Sequence, residues 1–388
     1  MTCRVLIAHN SYQQRGGEDA VVEAEVALLR MHGHAVETYF RSNDDVARMS
    51  ALALAQQTLW SSRTTRELVE IIRHFRPDVI HVHNTVPMIS PSLYWAAARA
   101  RVPVVQTLHN FRLMCLNALF LREGKVCEDC MGHLPWRGVA RACYRGSRAA
   151  SSALAGMLIL HRGLGTYQNK VARYIALNEF CREKFIEGGL PADKVVIKPN
   201  FVDLANPAAA LRAGLLFVGR LSVEKGVTTL AKAMGLLRDA QLRVAGDGPE
   251  SALFDGVTGV SKLGSLSGEA VRQEMSRAAA LVVPSICYEN FPRTIIEAFA
   301  CGLPVVASRI GALAGIVSHG ENGLLFESGD PRDLAEKLAW VLTHPNEMAT
   351  MGRYARAQYE KEFSAEVNYR LLIGIYNGVL AEYRREVP

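Results

Sequence analysis

No stretch of the 388-residue chain approaches the ~20 apolar residues of a membrane-spanning helix; the longest candidate, residues 149–160, has 12. Residues 1–8 lack the long apolar segment and small-residue cleavage site of a secretory signal. A cytoplasmic location with reduced cysteines is the expectation. Aromatic residues make up only 7%, and they form no stripe beyond core packing. Repeats and low-complexity segments are also missing. Gly246-Asp247-Gly248-Pro249 follows an apolar run, but it lacks the third glycine of the Gly-x-Gly-x-x-Gly dinucleotide fingerprint. That absence argues against a nicotinamide dehydrogenase. No Gly-x-x-x-x-Gly-Lys-Ser/Thr phosphate loop and no Asp-x-Asp pair occur, so a carboxylate-held Mg²⁺ is not expected. No recognition motif accompanies the basic charge, so nucleic acid is not expected as a partner.

What is present is an ordinary globular composition, 49% hydrophobic and 21% charged, long enough for two domains. The net charge of +6 is uneven. Residues 1–200 carry 25 Lys and Arg against 17 Asp and Glu; the remainder carries 19 against 21. Between residues 137 and 173 there are seven basic side chains and no acidic one. Such a surface fits an anionic partner, either a lipid headgroup layer or a phosphate-bearing acceptor, or a merely solvated basic face.

Short apolar runs alternate with amphipathic segments. Strands are expected at residues 3–9, 35–40, 79–82, 103–107, 171–177 and 195–197, with helices between them. A second series follows a linker marked by Pro199-Asn200, Asn206-Pro207 and an alanine run. Its strands are expected at residues 215–218, 241–245, 281–283 and 304–307, with a turn and strand around Val317, Gly323 and Phe326. This pattern predicts an α/β protein of two doubly wound, Rossmann-like domains with a cleft between them. The loops with Gly16-Gly17, His83-Asn84 and His109-Asn110 then fall at the carboxyl ends of first-domain strands, where ligands of such sheets bind.

Residues 289–304 read as a loop followed by a helix, opened by Pro292 and stopped by Gly302 and Pro304. The helix start is a seat for phosphate. Glu289 before it and Glu297 within it can hold sugar hydroxyls. Residues 217–226, Phe-Val-Gly-Arg-Leu-Ser-Val-Glu-Lys-Gly, end a strand with Arg220 and Lys225 flanking a turn. Two cations there can neutralise a leaving diphosphate.

Together, Gly-Arg-Leu-x-x-Glu-Lys-Gly at 219–226, Gly-Asp-Gly-Pro at 246–249, Glu-x7-Glu at 289–297 and Ala-x-Gly-x-Pro-Val-Val-Ala at 300–307 resemble the GT-B retaining glycosyltransferases of family 4. Asn-Gly-Leu-Leu-Phe at 322–326, Asp-Pro-x-x-Leu-Ala at 330–335, Gly16-Gly17, His109 and the Pro199–Asp203 run also match. The sequence departs from the family at Phe201 and Asn290, where glycine is common.

The resemblance implies a nucleoside-diphosphate sugar as donor and a catalytic set of Glu289, His109, Arg220 and Lys225. Arg220 and Lys225 would grip the diphosphate in place of a metal, so the chemistry would need no cofactor. Glu289 would hold the sugar, with Asn290 and Phe291 offering amides to sugar or phosphate. Glu297 would hold the ribose, and backbone near Gly264, Ser265 and Leu266 would read the base. Gly246, Gly16 and Gly17 would give backbone close approach, and His109 would face the sugar or its phosphate. Asn84, Asn110 and Arg112 would line the acceptor side.

The resemblance assigns residues 1–200, with a returning helix at about 364–388, to an acceptor-side domain, and 201–363 to a donor-binding domain. The acceptor would be a glycan, a lipid-linked molecule or another anionic hydroxyl compound, met at the inner membrane face. A catalytically silent sugar-nucleotide binder and a GT-B epimerase are the alternatives.

Cys115, Cys127, Cys130 and Cys143 fall within 29 residues and contain one Cys-x2-Cys pair. That is compatible with a structural Zn²⁺, with His133 able to replace one thiolate; unbound thiols and a disulfide are the other readings. His81 and His83 end a strand with no acidic partner nearby in sequence, so a core or cleft-lining role is expected.

Overall fold

The structure, a computed structural model, describes residues 2–13, 16–204 and 212–386. Asn206-Pro207 and the alanines after it, expected as linker, lie outside these. The chain groups into two compact units. The first is Met1–Leu119, Glu128–Pro199 and Asn368–Pro388; the second is Phe120–Cys127 and Asn200–Val367.

The first unit opens with strands β1 (Arg4–Ser11), β2 (Ala35–Ser42), β3 (Val79–Asn84) and β4 (Val104–Thr107). A small antiparallel hairpin follows, β5 (Leu121–Arg122) with β6 (Lys125–Val126), and it groups with the second unit. Strands β7 (Arg173–Ala176) and β8 (Val195–Ile197) complete a six-stranded parallel sheet in the order β2-β1-β3-β4-β7-β8. Every residue of β3 and β4 is buried, which is why both read as apolar runs without alternation. The helix Gly17–Met31 lays Val22, Val26 and Leu29 on this sheet. The helix Ala365–Glu386 adds Leu372, Tyr376 and Val379 to the same core.

The second unit holds β9 (Leu215–Val218), β10 (Leu242–Ala245), β11 (Val260–Gly264), β12 (Ala280–Val283), β13 (Val305–Ser308) and β14 (Gly323–Phe326). They form a parallel sheet in the order β11-β10-β9-β12-β13-β14. The strand order reverses between β9 and β12, so the crevice for a ligand opens beyond the carboxyl ends of these two. β11 was not among the expected strands. It is an edge strand with no buried residue, and hence carries no apolar signal.

The helix after β12 spans Arg293–Ala300, with Pro292 one residue outside it as N-cap. It ends as a Schellman motif: the Leu303 amide donates to Ala298 O at 2.8 Å and the Gly302 amide to Phe299 O at 2.9 Å. Gly302 takes the left-handed φ of +60° that this ending requires.

Candidate active site

Three loops of the second unit meet at the switch point, and glycines let them touch. The Leu221 amide donates to Asp247 O at 2.9 Å, and Glu250 returns a bond to Leu221 O at 2.9 Å. A Cβ on Gly246 would stand 1.9 Å from Gly219 O, and one on Gly248 would stand 2.3 Å from Leu221 O. Gly226, at φ +68°, would bring a Cβ to 1.7 Å from Pro284 O. Gly246 thus packs the loop after β10 onto the loop after β9. The Ile286 amide donates to Glu224 O at 3.0 Å, tying the loop after β9 to the loop after β12.

That tie brings together residues 64 apart in sequence: Lys225 Nζ donates to Glu289 Oε1 at 2.6 Å. Ser285 Oγ donates to the same oxygen at 2.7 Å. Burial opposes both charges, yet each partner outweighs it. Lys225 holds the Glu289 carboxyl below its usual range, and Glu289 lifts Lys225 above its own. Arg220 is exposed, and its guanidinium makes no hydrogen bond or ion pair among the described residues. Glu297 lies in the helix with Arg293 Nε 2.9 Å from its Oε1; burial raises its pKa despite that cation. Asn290 is buried, and the Phe291 ring packs edge-on against Phe363 at 6.1 Å. Gly264 and Ser265 are exposed at the end of β11, with Leu266 half-buried after them.

In the first unit the strand order reverses between β1 and β3. Gly16 caps the helix Gly17–Met31, and its amide donates to Asp19 Oδ2 at 2.8 Å. Asn84 spends its amide internally, donating to Asn10 O at 3.0 Å and accepting from the Val86 amide at 3.0 Å. Asn110 turns its Nδ2 towards Tyr12 Oη at 3.4 Å and Glu18 Oε2 at 3.5 Å. Tyr12 Oη donates to Glu18 Oε2 at 2.9 Å. Burial pushes the Glu18 pKa up to about 7, against the pull of Tyr12 and Arg112. Its Oε1, and Arg112 Nη1, are buried without a hydrogen-bond partner among the described residues. Arg112 also stacks over Tyr144, 5.2 Å from the ring centroid. His109 is half-buried and, with Asn84, Asn110 and Arg112, lines a cavity of about 30 Å³, room for a water.

Beneath His109 lies a buried polar network. His83 Nδ1 is 2.8 Å from His109 Nε2. Glu25 Oε1 is 2.9 Å from His81 Nδ1 and 3.4 Å from His83 Nε2. Lys198 Nζ sits 3.2 Å from Glu25 Oε2 and donates to Asn368 Oδ1 at 3.0 Å. His81 and His83 are buried, and their acidic partner, Glu25, lies 56 residues upstream of His81 rather than nearby in sequence. Among the described residues, this trio is the group of three metal-capable side chains whose ligand atoms all lie within 4.8 Å of one another. Cys115, Cys127, Cys130 and Cys143 do not form such a group. In the trio the positive charge is already supplied by Lys198. His81 is engaged on both ring nitrogens, with Tyr376 Oη at 2.7 Å and Thr107 Oγ1 at 2.8 Å.

Two sequence families cover these units. The profile described as Glycosyltransferase Family 4 matches residues 15–206, and Glycosyl transferases group 1 matches residues 212–344. The D-inositol 3-phosphate glycosyltransferase of Pseudarthrobacter chlorophenolicus is 30% identical over 335 residues, 75% of this chain and 70% of that protein. The chain belongs to the family 4 glycosyltransferases.

The chain is also similar to the sulfoquinovosyl transferase SQD2 of Arabidopsis thaliana, 34% identical over 87% of this chain and spanning 64% of that protein. Its fold is that of sucrose-phosphate synthase from Thermosynechococcus elongatus, with a TM-score of 0.73 at 18% identity over 98% of this chain and 100% of the other. Anabaena HepE, solved in complex with UDP-glucose, gives 0.66 at 19% identity, covering 97% and 100%. Both are GT-B structures, two Rossmann-like domains in one chain.

Several residues of these two clusters are not expected from the sequence. Glu25 had a signal, an acid inside the apolar stripe of Val22, Val26 and Leu29. Glu18 had none beyond its place in the first turn of a helix. Lys198, fully buried, had none, because its partners lie 173 and 170 residues away.

Proposed function

We propose that this glycosyltransferase moves a sugar from a nucleoside-diphosphate sugar to an acceptor hydroxyl with retention of the anomeric configuration, using its own cations rather than a metal. The observation that carries the reading is the set at the second switch point: Lys225 held on Glu289 at 2.6 Å, beside an exposed Arg220 without an ion pair among the described residues. The UDP-glucose complex of HepE, a protein of the same fold, supports a donor of this class.

When a diphosphate arrives, Lys225 can turn from Glu289 to the phosphate oxygens, with Arg220 as a second, forked donor. The Glu289 carboxylate is then released to accept from sugar hydroxyls. Glu297 holds the ribose hydroxyls. The bond from anomeric carbon to phosphate oxygen breaks with oxocarbenium character, and the two cations stabilise the charge that develops on the leaving group. The acceptor hydroxyl attacks from the same face, and its proton passes to the departing phosphate oxygen. In the first unit, Tyr12, Glu18, Asn110 and Arg112 form the acceptor wall, and Arg112 suits an anionic acceptor.

Release of nucleoside diphosphate on mixing donor and acceptor tests the reading. Arg220→Ala is expected to cost ~10²–10³ in turnover. An unchanged rate at saturating donor would remove Arg220 from the mechanism.

The basic first unit also suits a peripheral contact with anionic membrane. Leu134 and Trp136 are 60% and 63% exposed, just ahead of the run of basic residues that starts at Arg137. Co-sedimentation with phosphatidylglycerol vesicles, absent with phosphatidylcholine and weakened in Trp136→Ala, is the expected result. Equal partitioning to both lipids would reject it. Among the described residues, no helix is long and apolar enough to cross a membrane.

A further inference from the structure

We propose that Glu25 and His83 are positioning residues that fix the tautomer of His109, leaving its Nδ1 bare to accept a hydrogen bond from a sugar hydroxyl. This rests on the reading of His109 as a residue that faces substrate.

The argument starts from the carboxylate. Glu25 is buried on a helix face that otherwise carries valine and leucine. Burial alone would protonate it, but Lys198 at 3.2 Å and the imidazole of His81 at 2.9 Å hold its pKa well below the usual value. An ionised carboxylate only accepts hydrogen bonds. His83 Nε2 is buried and makes no hydrogen bond among the described residues, but it lies 3.4 Å from the Glu25 Oε1 anion. A lone pair facing that charge would be repelled and an N–H attracted, so that nitrogen carries the proton. Burial pushes the His83 pKa down to about 3, with the neighbouring His81 adding to the shift, so the ring is neutral and has one proton only. Its Nδ1 is therefore a lone pair.

His109 Nε2 stands 2.8 Å from that lone pair and must donate to it. Burial, with His83 as the next cause, lowers the His109 pKa well below its usual value, so this ring too has a single proton. His109 Nδ1 is left as an acceptor. An acceptor nitrogen selects for a group that donates. The hydroxyls of a sugar do so, and the oxygens of an ionised diphosphate do not. The chain Glu25, His83, His109 thus assigns His109 to the sugar rather than to the phosphate.

The test reads protons on nitrogen directly. Long-range ¹H–¹⁵N spectra of the full-length protein near pH 7.5, assigned with His109→Asn, are expected to show His109 protonated on Nε2 and bare on Nδ1. In His83→Phe, or in Glu25→Gln/Lys198→Met, which removes both buried charges together, the His109 nitrogen shifts should move towards a tautomer mixture. Turnover should fall ~10-fold or more with donor KM little changed, as for the loss of other ligand-orienting partners. A proton on His109 Nδ1 in the wild-type protein overturns the proposal. So do His109 shifts that are indifferent to both variants. Should either variant fail to fold, the wild-type tautomer decides alone. The spectra need neither donor nor acceptor, so a protein that transfers no sugar would count against the proposed reaction and not against this result.

Discussion

Lys225 and Glu289 each push the other towards its charged form across a 2.6 Å contact, and Ser285 donates to the same carboxylate oxygen. Glu18 is the opposite kind of carboxyl. With its pKa raised from 4.5 to about 7, it binds a proton more tightly folded than unfolded. Its ionised form is therefore a liability that is absent below pH 4.5 and complete above pH 7. Glu18→Gln keeps an acceptor for Tyr12 and removes the charge. It is expected to stabilise the protein at pH 8 by up to about 3 kcal/mol and to have little effect at pH 4.5, as read from urea unfolding at the two pH values. A stabilisation of equal size at both would show that Glu18 is not held in an anion-hostile site.

At the scale of elements, the donor loops are a stack of backbone on backbone. Gly226 carries the sharpest requirement, a left-handed φ of +68° together with a carbonyl 1.7 Å from where a Cβ would go. Gly226→Ala should lower stability by about 1–3 kcal/mol or more and displace Lys225 from Glu289. Gly235→Ala, with nothing within 4 Å of the added carbon and an ordinary φ, should be neutral or slightly stabilising. Thermal unfolding of the pair checks this; similar losses in both would refute the packing argument.

The same elements show what the sequence makes visible. Strands buried on both faces, such as β9 and β12, stand out as apolar runs. Gly302 marks the end of its helix because only one backbone shape fits there. β11 is invisible, since its side chains are exposed or half-buried at a sheet edge. At the site, Arg220, Lys225 and Glu289 were legible as an ordered motif. The pairing of Lys225 with Glu289 was not, because it depends on how tightly two loops approach. The network of Glu25, Lys198 and His83 was hidden for a related reason: buried charges are recognised by their partners, and here the partners are far apart in sequence.

For the whole molecule, the connection that matters is the last helix. Leu372, Tyr376 and Val379 lie in the core of the first unit, Tyr376 Oη meets His81, and Asn368 donates to Pro199 O while accepting from Lys198. Asn368 is thus bonded to both residues that precede the passage of the chain into the second unit at Pro199–Asn200. Tyr376→Ala should leave the second sheet intact and weaken the first. Hydrogen exchange is expected to rise in β1 and β3 by orders of magnitude and to stay level in β9 and β12. Equal loss of protection in both sheets would mean that the helix stabilises the molecule as one piece.

This helix also sets an order of events during synthesis. A ribosome delivers residues 200–367 complete before it delivers Tyr376. The Asn200–Val367 part of the second unit can close its core while the chain is still growing. The first unit, although begun earliest, must wait with His81, Lys198 and three core positions unfilled. In the interval its apolar sheet face is exposed, and a released chain truncated after Val367 should be a client for chaperones through its oldest residues rather than its newest.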